Sequence, residues 1–462
     1  MSTNSNTPFY THEDRACGDF IPFYDLKTSS FHLFYICGNP WYHISTKDFV
    51  DFTYHGIAIP AGNESEQDLC VYTGCVCEKD DRYYIYYTGH NDALEYSEVI
   101  LRATSSDLIT WKKDSEFSLK APAGYSKKAW RDPHVFFDGV QNVYRMVLTA
   151  SKDHSPWRRW GTTVMFTSTD MLNWQFAGDL YAPNLNDSHE CPDLFKIGDW
   201  YYLIFSTYSK NWETKYRMAK SLSGPWICPA DELFDGRAFY AAKSVTDGNQ
   251  RHLIGWESIK EDGLDKNTYQ WSGCLMVHTL HQRPDGTLYA AMPETVEQAF
   301  DKRLELNLRN VSGNFDQFYA DAMSSFAYLE LGKMKPETEY LLKGRIRFDE
   351  ECSAAGLMLR TSDRDFSLEH YYQLRMEPKK QRFSFLRSDD FFFNHHFIEE
   401  RPFRPDDSRE ASFKVILSGS VISIYVGEAA LSVRGYDLKD GGFGFFVEEG
   451  RAELLDIEIY GR

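Results

Sequence analysis

A run of apolar and tyrosine-rich residues recurs five times in the first 256 residues of the chain at nearly constant spacing. The runs cover residues 31–36, 83–87, 143–148, 200–205 and 251–256, and their starts lie 52, 60, 57 and 51 residues apart. Most follow a turn signal such as Asp138-Gly139, as expected of a strand that enters from a hairpin. Five all-β units of this length predict a five-bladed β-propeller.

A second motif follows three of these runs. Asp48, Asp107 and Asp170 each close a tetrapeptide that begins with Ser or Thr, and an aromatic residue follows each of them four positions later. We expect a strand end and a tight turn at each place. The aromatic side chain that follows is expected to pack against a neighbouring sheet.

The pattern changes after Pro293. Apolar residues recur every four positions between 294 and 308, which favours a short helix or linker over residues 294–310. Beyond it, short strands are predicted at 341–348, 356–360, 371–376, 382–386, 412–417, 421–426 and 443–447. The chain therefore divides into a propeller (1–293), the linker, and a C-terminal β-sandwich (311–462) without a catalytic cluster. We interpret the aromatic stretch 391–397, with His395 and His396, as a hydrophobic plug rather than a metal site.

Composition narrows the classes of partner. The formal net charge of −18 argues against a nucleic-acid backbone or an anionic membrane surface. The polar first twelve residues do not resemble a secretory signal, and the apolar runs are too short to cross a bilayer. Nine scattered cysteines without zinc spacing favour reduced thiols. We expect a cytoplasmic protein without a metal.

Three carboxylates precede strands of the repeat at similar distances. Asp19 lies 12 residues before residue 31, Asp132 lies 11 before residue 143, and Glu190 lies 10 before residue 200. Because the innermost strands of a propeller surround one axis, residues at equivalent blade positions can meet at one mouth. This phasing predicts one acidic site. A Ca²⁺ site would bring more Asp and Asn into each loop, whereas two carboxylates flanking a glycosidic bond suffice for hydrolysis.

Motifs around these acids resemble glycoside hydrolase family 32, the invertase, inulinase and levanase family. Trp130-Arg-Asp-Pro133 resembles its Arg-Asp-Pro motif, and His189-Glu-Cys-Pro-Asp193 resembles its Glu-Cys motif. The segment 18–24 looks like its first motif, Asn-Asp-Pro-Asn-Gly. The resemblance extends over nearly the whole chain.

The resemblance implies a retaining double displacement that removes terminal β-fructofuranosyl units from short oligosaccharides without a cofactor. Asp19 would be the nucleophile and Glu190 the general acid and base. Asp132 would bind ring hydroxyls, with Arg131 orienting the cluster and Cys191 contributing to the same subsite. Ala16-Cys-Gly18 replaces the family's Trp-Met-Asn, which removes a stacking ring and favours a substrate other than sucrose or inulin.

Aromatic side chains are candidates for stacking on a sugar. Trp41, Trp130, Trp160 and Trp256 lie near the predicted blade ends, and among them we predict substrate contacts for Trp41 and Trp130. Tyr240 is expected to line the same pocket.

Two other functions fit the same pattern. One is an inverting pentosidase similar to glycoside hydrolase family 43, which shares the five-bladed design and three acids. The other is a carbohydrate-binding propeller without catalysis, which the altered first motif would explain. An exposed sandwich edge would also allow a homodimer.

Overall fold

The computed structural model describes residues 5–13, 15–153, 158–362, 370–388 and 396–462, with the side chains of 396–398 left out. His395 and most of the stretch 391–397, interpreted above as a plug, lie outside this part of the chain. The described chain forms two compact units. The first comprises Met1–Leu233, Phe239–Ser258 and Trp271–Leu288, and the second comprises Phe234–Ala238, Ile259–Gln270 and Tyr289–Arg462.

Five antiparallel sheets account for the predicted repeat. The first holds β1 (Ser5–Asn6), β2 (Gly18–Asp25), β3 (Ser30–Ile36), β4 (Trp41–Thr46) and β5 (Asp51–Ile59). The second holds β6 (Cys70–Lys79), β7 (Arg82–His90), β8 (Glu98–Ser105) and β9 (Lys112–Lys113). The third holds β10 (Tyr125–Asp138), β11 (Val143–Lys152), β12 (Gly161–Ser168) and β13 (Gln175–Tyr181). The fourth holds β14 (Glu190–Ile197), β15 (Trp200–Thr207) and β16 (Glu213–Ala219). The fifth holds β17 (Phe239–Thr246), β18 (Arg251–Lys260), β19 (Tyr269–Gln282) and β20 (Leu288–Ala291).

The first strands of the five sheets close into a ring. Strands β2, β6, β10, β14 and β17 contact one another in that order, and β17 contacts β2. Each of the predicted apolar runs is the second strand of its sheet, where both faces are covered by neighbouring sheets. The five-bladed propeller predicted from the spacing is confirmed.

Every first strand carries a β-bulge at the same level of the ring. The pairing register shifts after Gly18, Tyr72, Arg131, Glu190 and Tyr240. In four of the five blades the residue that follows has a left-handed backbone, namely Asp19, Asp132, Cys191 and Ala241, with φ between 48° and 59°. A bulge turns the side chain at that position away from the ladder, and here it turns four of them at one height.

The predicted Asp turns are present. The carboxylates of Asp48, Asp107 and Asp170 each accept backbone N–H groups two and three residues later. Two of the aromatic residues four positions on pack as expected, since the ring of Trp111 lies 5.9 Å from Phe34 of the first blade and that of Trp174 lies 5.7 Å from Tyr86 of the second. The ring of Phe52 lies 5.3 Å from Tyr10 instead.

The second unit is built on a 13-stranded sheet, consistent with the predicted sandwich. Its strands are β21 (Lys302–Leu304), β22 (Arg309–Ser312), β23 (Asn314–Asp316), β24 (Tyr319–Met334), β25 (Tyr340–Phe348), β26 (Ala354–Thr361), β27 (Tyr371–Glu377), β28 (Arg382–Ser388), β29 (His396–Pro402), β30 (Glu410–Ser418), β31 (Val421–Val426), β32 (Ala429–Arg434) and β33 (Gly441–Gly461). The long strand β33 pairs with β21, β24, β25 and β26 along its length. It therefore holds the unit together.

The domain boundary at residue 293 stays a prediction, and two earlier segments belong to the second compact unit. Asp235 accepts a hydrogen bond from the Ser432 hydroxyl at 2.6 Å, and Asp265 accepts one from the Tyr372 hydroxyl at 2.5 Å. The helical spacing after Pro293 yields one short helix, α1 (Glu294–Gln298), and β21 begins four residues later. None of the described helices is long and apolar enough to span a membrane.

Candidate active site

The bulges correct the phasing inferred from the sequence. Asp19 and Asp132 occupy equivalent bulge positions on β2 and β10, but Glu190 lies one position earlier on β14, level with Arg131 and Tyr240. Cys191 takes the bulge position of its blade. The three acids therefore reach the mouth from two adjacent levels. The number of residues between each acid and the next strand did not reveal this difference.

One pocket of about 530 Å³ in the first unit collects these side chains. It is lined by Asp19, Ile36, Gly38, Asn39, Cys70, Tyr72, Arg131, Asp132, Glu190, Cys191, Tyr208, Trp212, Tyr240, Ala241 and Trp271. The structure thus brings together the three predicted acids and, from the predicted binding residues, Arg131, Cys191 and Tyr240.

Glu190 is held by a partner on each oxygen. Arg131 Nη2 donates to Glu190 Oε1 at 2.9 Å, and the Tyr240 hydroxyl donates to Glu190 Oε2 at 2.6 Å. The carboxylate is half-buried, so it is oriented by these bonds and still faces the pocket. Burial and then the charge of Glu190 raise the pKa of Tyr240 well above its usual range, so Tyr240 stays a donor.

Arg131 links Glu190 to a further carboxylate that sequence reasoning missed. Its Nη1 lies 3.3 Å from Glu98 Oε2, and its Nη2 also donates to the Ser188 hydroxyl at 3.1 Å. Glu98 accepts the Trp130 N–H at 2.7 Å as well. Burial alone would lower the pKa of Arg131, but Glu98, Glu190 and Asp132 together raise it well above its usual range. The guanidinium is a fixed cation shared by several acids.

Asp132 is held by hydrogen bonds that involve backbone N–H groups released from strand pairing by the bulges. Its Oδ2 accepts the Cys191 N–H at 2.9 Å, and the Thr149 hydroxyl lies 3.2 Å from the same oxygen. Its own N–H donates to the Thr88 hydroxyl at 2.9 Å. A bulge removes an N–H from the ladder, and a buried N–H needs another partner. Partners from the second, third and fourth blades therefore hold Asp132 in place.

Asp19 has a different environment. Its Oδ1 accepts one hydrogen bond, from Trp256 Nε1 at 3.2 Å. Burial, and then the charges of Asp132 and Glu190, raise the pKa of Asp19 to about 7. A carboxylate with few donors and a raised pKa is poorly stabilised as an anion, which is a common property of functional groups in enzyme sites.

Aromatic rings form one wall of the pocket. Trp212 stacks on Tyr240 at 4.0 Å, and Trp256 meets Tyr240 edge-on at 5.6 Å. Trp271 in turn meets Trp256 at 6.0 Å and is 45% exposed, as is Tyr208 on the pocket lining. Flat apolar faces beside carboxylates are suited to a sugar ring, whose C–H face is apolar and whose edge carries hydroxyls.

Trp41 and Trp130, predicted to contact substrate, lie elsewhere. Both are fully buried and neither lines the pocket. Trp41 Nε1 donates to the Tyr72 carbonyl and Trp130 Nε1 to the Leu119 carbonyl, so each indole fills the core between two blades. Their faces are covered by protein, and we remove them from the candidate site.

The aromatic residues that do line the pocket had weaker sequence signals. Tyr208 and Trp212 follow β15, and Trp271 lies on β19, outside the family motifs. The position of Tyr208 and Trp212 after the strand that follows the Glu-Cys motif could have indicated them. Across the described residues, no group of three or more His, Cys, Asp and Glu side chains has an arrangement suited to a metal ion.

Comparison with known proteins agrees with this geometry. The sequence model described as the Glycosyl hydrolases family 32 N-terminal domain matches residues 18–289, more than half of the chain. The chain belongs to glycosyl hydrolase family 32. The matched segment begins at the strand of Asp19 and includes the entire pocket lining, so the family's domain and the candidate site coincide.

Two curated relatives of this family 32 chain come from Escherichia coli. It is 26% identical over 298 residues to the sucrose-6-phosphate hydrolase of Escherichia coli, covering 60% of each chain. It is 24% identical over 451 residues to the raffinose invertase of Escherichia coli, covering 91% of this chain and 86% of that protein. The chain thus spans about three-fifths of the first of these relatives.

Solved structures share the fold. Fructan 1-exohydrolase IIa from Cichorium intybus is 17% identical, with a TM-score of 0.74, covering 99% of this chain and 97% of the other. Sucrose-6-phosphate hydrolase from Lactobacillus gasseri is 18% identical, with a TM-score of 0.71, covering 95% and 91%. These likenesses support the propeller and sandwich architecture of the chain.

Proposed function

We propose that this chain is a glycoside hydrolase that removes terminal β-fructofuranosyl units from short oligosaccharides with retention of configuration. The observation that carries the proposal is the convergence of Asp19, Asp132 and Glu190 in one pocket within the family 32 domain. Two carboxylates across a glycosidic bond can supply both the nucleophile and the proton donor.

In the first step, Asp19 attacks C2 of the fructosyl unit and the glycosidic C2–O bond breaks. Glu190, protonated at this stage, gives its proton to the departing oxygen, which leaves as an alcohol. A covalent fructosyl ester on Asp19 results. In the second step Glu190 takes a proton from water, the water oxygen bonds to C2, and the ester bond to Asp19 breaks. Both carboxylates return to their starting states.

The contacts around Glu190 suit a group that changes role. Arg131 and Tyr240 hold one oxygen each, so the carboxyl group keeps its orientation whether or not it is protonated. Asp132, fixed by the Cys191 N–H, is placed to accept hydrogen bonds from ring hydroxyls. We assign it binding and stabilisation of the developing positive charge at the ring.

The raised pKa of Asp19 has a consequence for the reaction. With a pKa of about 7, roughly half of Asp19 is ionised at neutral pH, and the nucleophile must be ionised to attack. We therefore expect kcat/KM to fall as the pH decreases below about 7.

The substrates we propose are small. A pocket of about 530 Å³ is within the range of small-molecule sites, which favours short fructosides over long polymers such as fructan. The relatives named above act on sucrose 6-phosphate and raffinose according to their names. Sucrose, raffinose and sucrose 6-phosphate therefore make up the first substrate panel.

We also propose that the enzyme acts in the cytoplasm. All nine cysteines are free, and six of them are buried. This state fits a reducing compartment. The homodimer stays a prediction.

The test combines stereochemistry with two substitutions. Hydrolysis of sucrose in the presence of methanol should give methyl β-fructofuranoside, since a retaining enzyme transfers the fructosyl unit to the same face. Asp19→Asn and Glu190→Gln should each lower kcat by at least ~10³-fold, whereas Asp199→Asn, at an exposed position, should leave it unchanged. Full activity in Asp19→Asn would refute the assigned nucleophile.

The two alternative functions, an inverting pentosidase and a non-catalytic binding propeller, predict different results in the same experiment. An inverting pentosidase would hydrolyse arabinofuranosides or xylosides, and the product would have the opposite anomeric configuration. A binding propeller would bind a sugar without turnover, and neither substitution would alter a rate. The match to the family 32 domain favours the fructosidase over both.

A further inference from the structure

The pocket has a charged floor and an aromatic rim. Asp19, Asp132, Glu190 and Arg131 are the charged residues of its lining. Farther out, the half-exposed rings of Trp271 and Tyr208 border the opening, with Trp212 stacked on Tyr240 behind them. A fructosyl unit bound at the carboxylates would direct its leaving group toward these rings.

The charge of the lining is negative when its carboxylates are ionised. Even with Glu190 protonated, as the first step requires, two carboxylates oppose one guanidinium, and each of the two terminal nitrogens of that guanidinium already has a protein acceptor. Nη1 faces Glu98 at 3.3 Å, and Nη2 donates to Glu190 and Ser188. Nε lies 3.6 Å from Asp132. The Arg131 guanidinium is therefore occupied by protein acceptors, and Glu98, which does not belong to the pocket lining, offsets part of its positive charge.

We infer that this pocket selects an uncharged leaving-group sugar that stacks on Trp271 and Tyr208, and discriminates against the same sugar carrying a phosphate. The inference rests on the proposed fructosidase activity and names its substrate class. It separates this chain from relatives named for a phosphorylated substrate.

The physical reason is electrostatic. A phosphate monoester carries close to two negative charges at neutral pH and is bound in proteins by Arg or Lys side chains or by clustered N–H groups. Within this pocket it would instead face carboxylates in a partly desolvated space, where like charges repel more strongly than in water. An uncharged sugar avoids that repulsion and gains contact with the rings.

Among the described residues, Lys210 is the exposed cation nearest in sequence to Tyr208 and Trp212, so its contribution has to be tested. It is exposed and lies two residues from both Tyr208 and Trp212, but it does not belong to the pocket lining. A lysine at the rim can reach a phosphate through its flexible side chain. The experiment therefore includes Lys210→Ala as a second variant.

The first measurement compares kcat/KM for sucrose and for sucrose 6-phosphate at pH 7 and low ionic strength. We expect sucrose to be preferred at least ~10-fold, and the difference to shrink as salt is added, because screening weakens the repulsion. An equal or higher kcat/KM for sucrose 6-phosphate would overturn the inference. If the parent prefers sucrose 6-phosphate and Lys210→Ala does not, Lys210 is the residue that binds the phosphate.

The second measurement tests the rim. Trp271→Ala should raise KM for sucrose about three- to tenfold with a small change in kcat, because the ring contacts the leaving group rather than the reacting bond. Phe137→Ala, a similarly exposed aromatic on β10 outside the pocket lining, is the control and should leave both constants unchanged. An unchanged KM in Trp271→Ala would contradict the stacking part of the inference.

Failure of the proposed function gives a different result. If no fructoside of the panel is hydrolysed, the activity is refuted, and the charge preference is then read from binding alone. Tryptophan fluorescence titrations with sucrose and sucrose 6-phosphate give the two dissociation constants. Tighter binding of the phosphorylated sugar would overturn the inference, and at least ~10-fold tighter binding of sucrose would support it.

Discussion

Replacing Asp19 by Asn should stabilise the fold at alkaline pH while it removes activity. The pKa of Asp19 is about 7 in the folded protein, against an ordinary value of 3.8. A group whose folded pKa is raised favours folding while it is protonated. That contribution is complete below the unfolded pKa and is lost as the pH rises through the folded pKa. Asn cannot ionise, so Asp19→Asn escapes the loss.

The size of the effect follows from the same two values. A difference of about three pKa units corresponds to roughly 4 kcal/mol at pH 8, at 1.36 kcal/mol per unit. Because Asp19 is partly exposed in the pocket, we expect about half of that, roughly 2 kcal/mol, or a rise in Tm of about 2 °C for a chain of this length. The stability that Asp19→Asn gains over the parent should be less than about half as large at pH 5 as at pH 8.

The assay is thermal unfolding of the parent and the variant between pH 5 and pH 8. The difference between the two proteins at each pH isolates Asp19, since all other titrating groups are shared. Asp199→Asn, in which a highly exposed carboxylate is neutralised, is the matched control and should show no pH-dependent difference. A pH-independent Tm difference for Asp19→Asn, or a variant less stable at pH 8 than at pH 5 relative to the parent, would refute the reasoning.

Two further predictions concern the neighbours of the acids. Trp256→Phe removes the one N–H that Asp19 accepts, so the acidic limb of the kcat/KM profile should move to higher pH by about one unit. Trp212→Phe, whose Nε1 donates to Ser258, is its control, and an equal shift in both variants would contradict the assignment. Glu98→Gln keeps an acceptor for the Trp130 N–H but removes a charge opposite Arg131. Because Arg131 orients Glu190, loss of this contact should lower kcat for sucrose about tenfold with a small change in KM. An unchanged kcat would show that Glu98 has only a structural role.

The blade count was predictable because strand spacing is a local property. Each apolar run is covered on both faces, so its composition shows in the sequence, and the Asp turns depend on side chains two or three residues apart. Spacing alone could not show how far α1 extends within the predicted helix or linker of residues 294–310. Fourfold spacing continues to Leu308, but the chain joins β33 as β21 from Lys302, and sheet pairing overrides the helical spacing.

The orientation of the Trp41 and Trp130 side chains could not be predicted from neighbouring residues in the sequence. A tryptophan beside a motif can face the pocket or the gap between two blades, and the direction depends on the bulge and the neighbouring sheet. Glu98 is the converse case. Nothing near it in sequence indicates a site, yet it contacts Arg131, 33 residues away, because β8 and β10 are adjacent.

The sequence by itself predicted the number of blades and named Asp19, Asp132 and Glu190 as candidate site residues, since strand periodicity and short motifs are local properties of consecutive residues. Only the tertiary structure decided that Glu190 lies one level from the other two acids, that Arg131 contacts both Glu190 and Glu98, and that Asp19 accepts a hydrogen bond from Trp256. Those properties arise where separate blades meet, and electrostatic interactions depend on distances across that meeting point rather than along the chain.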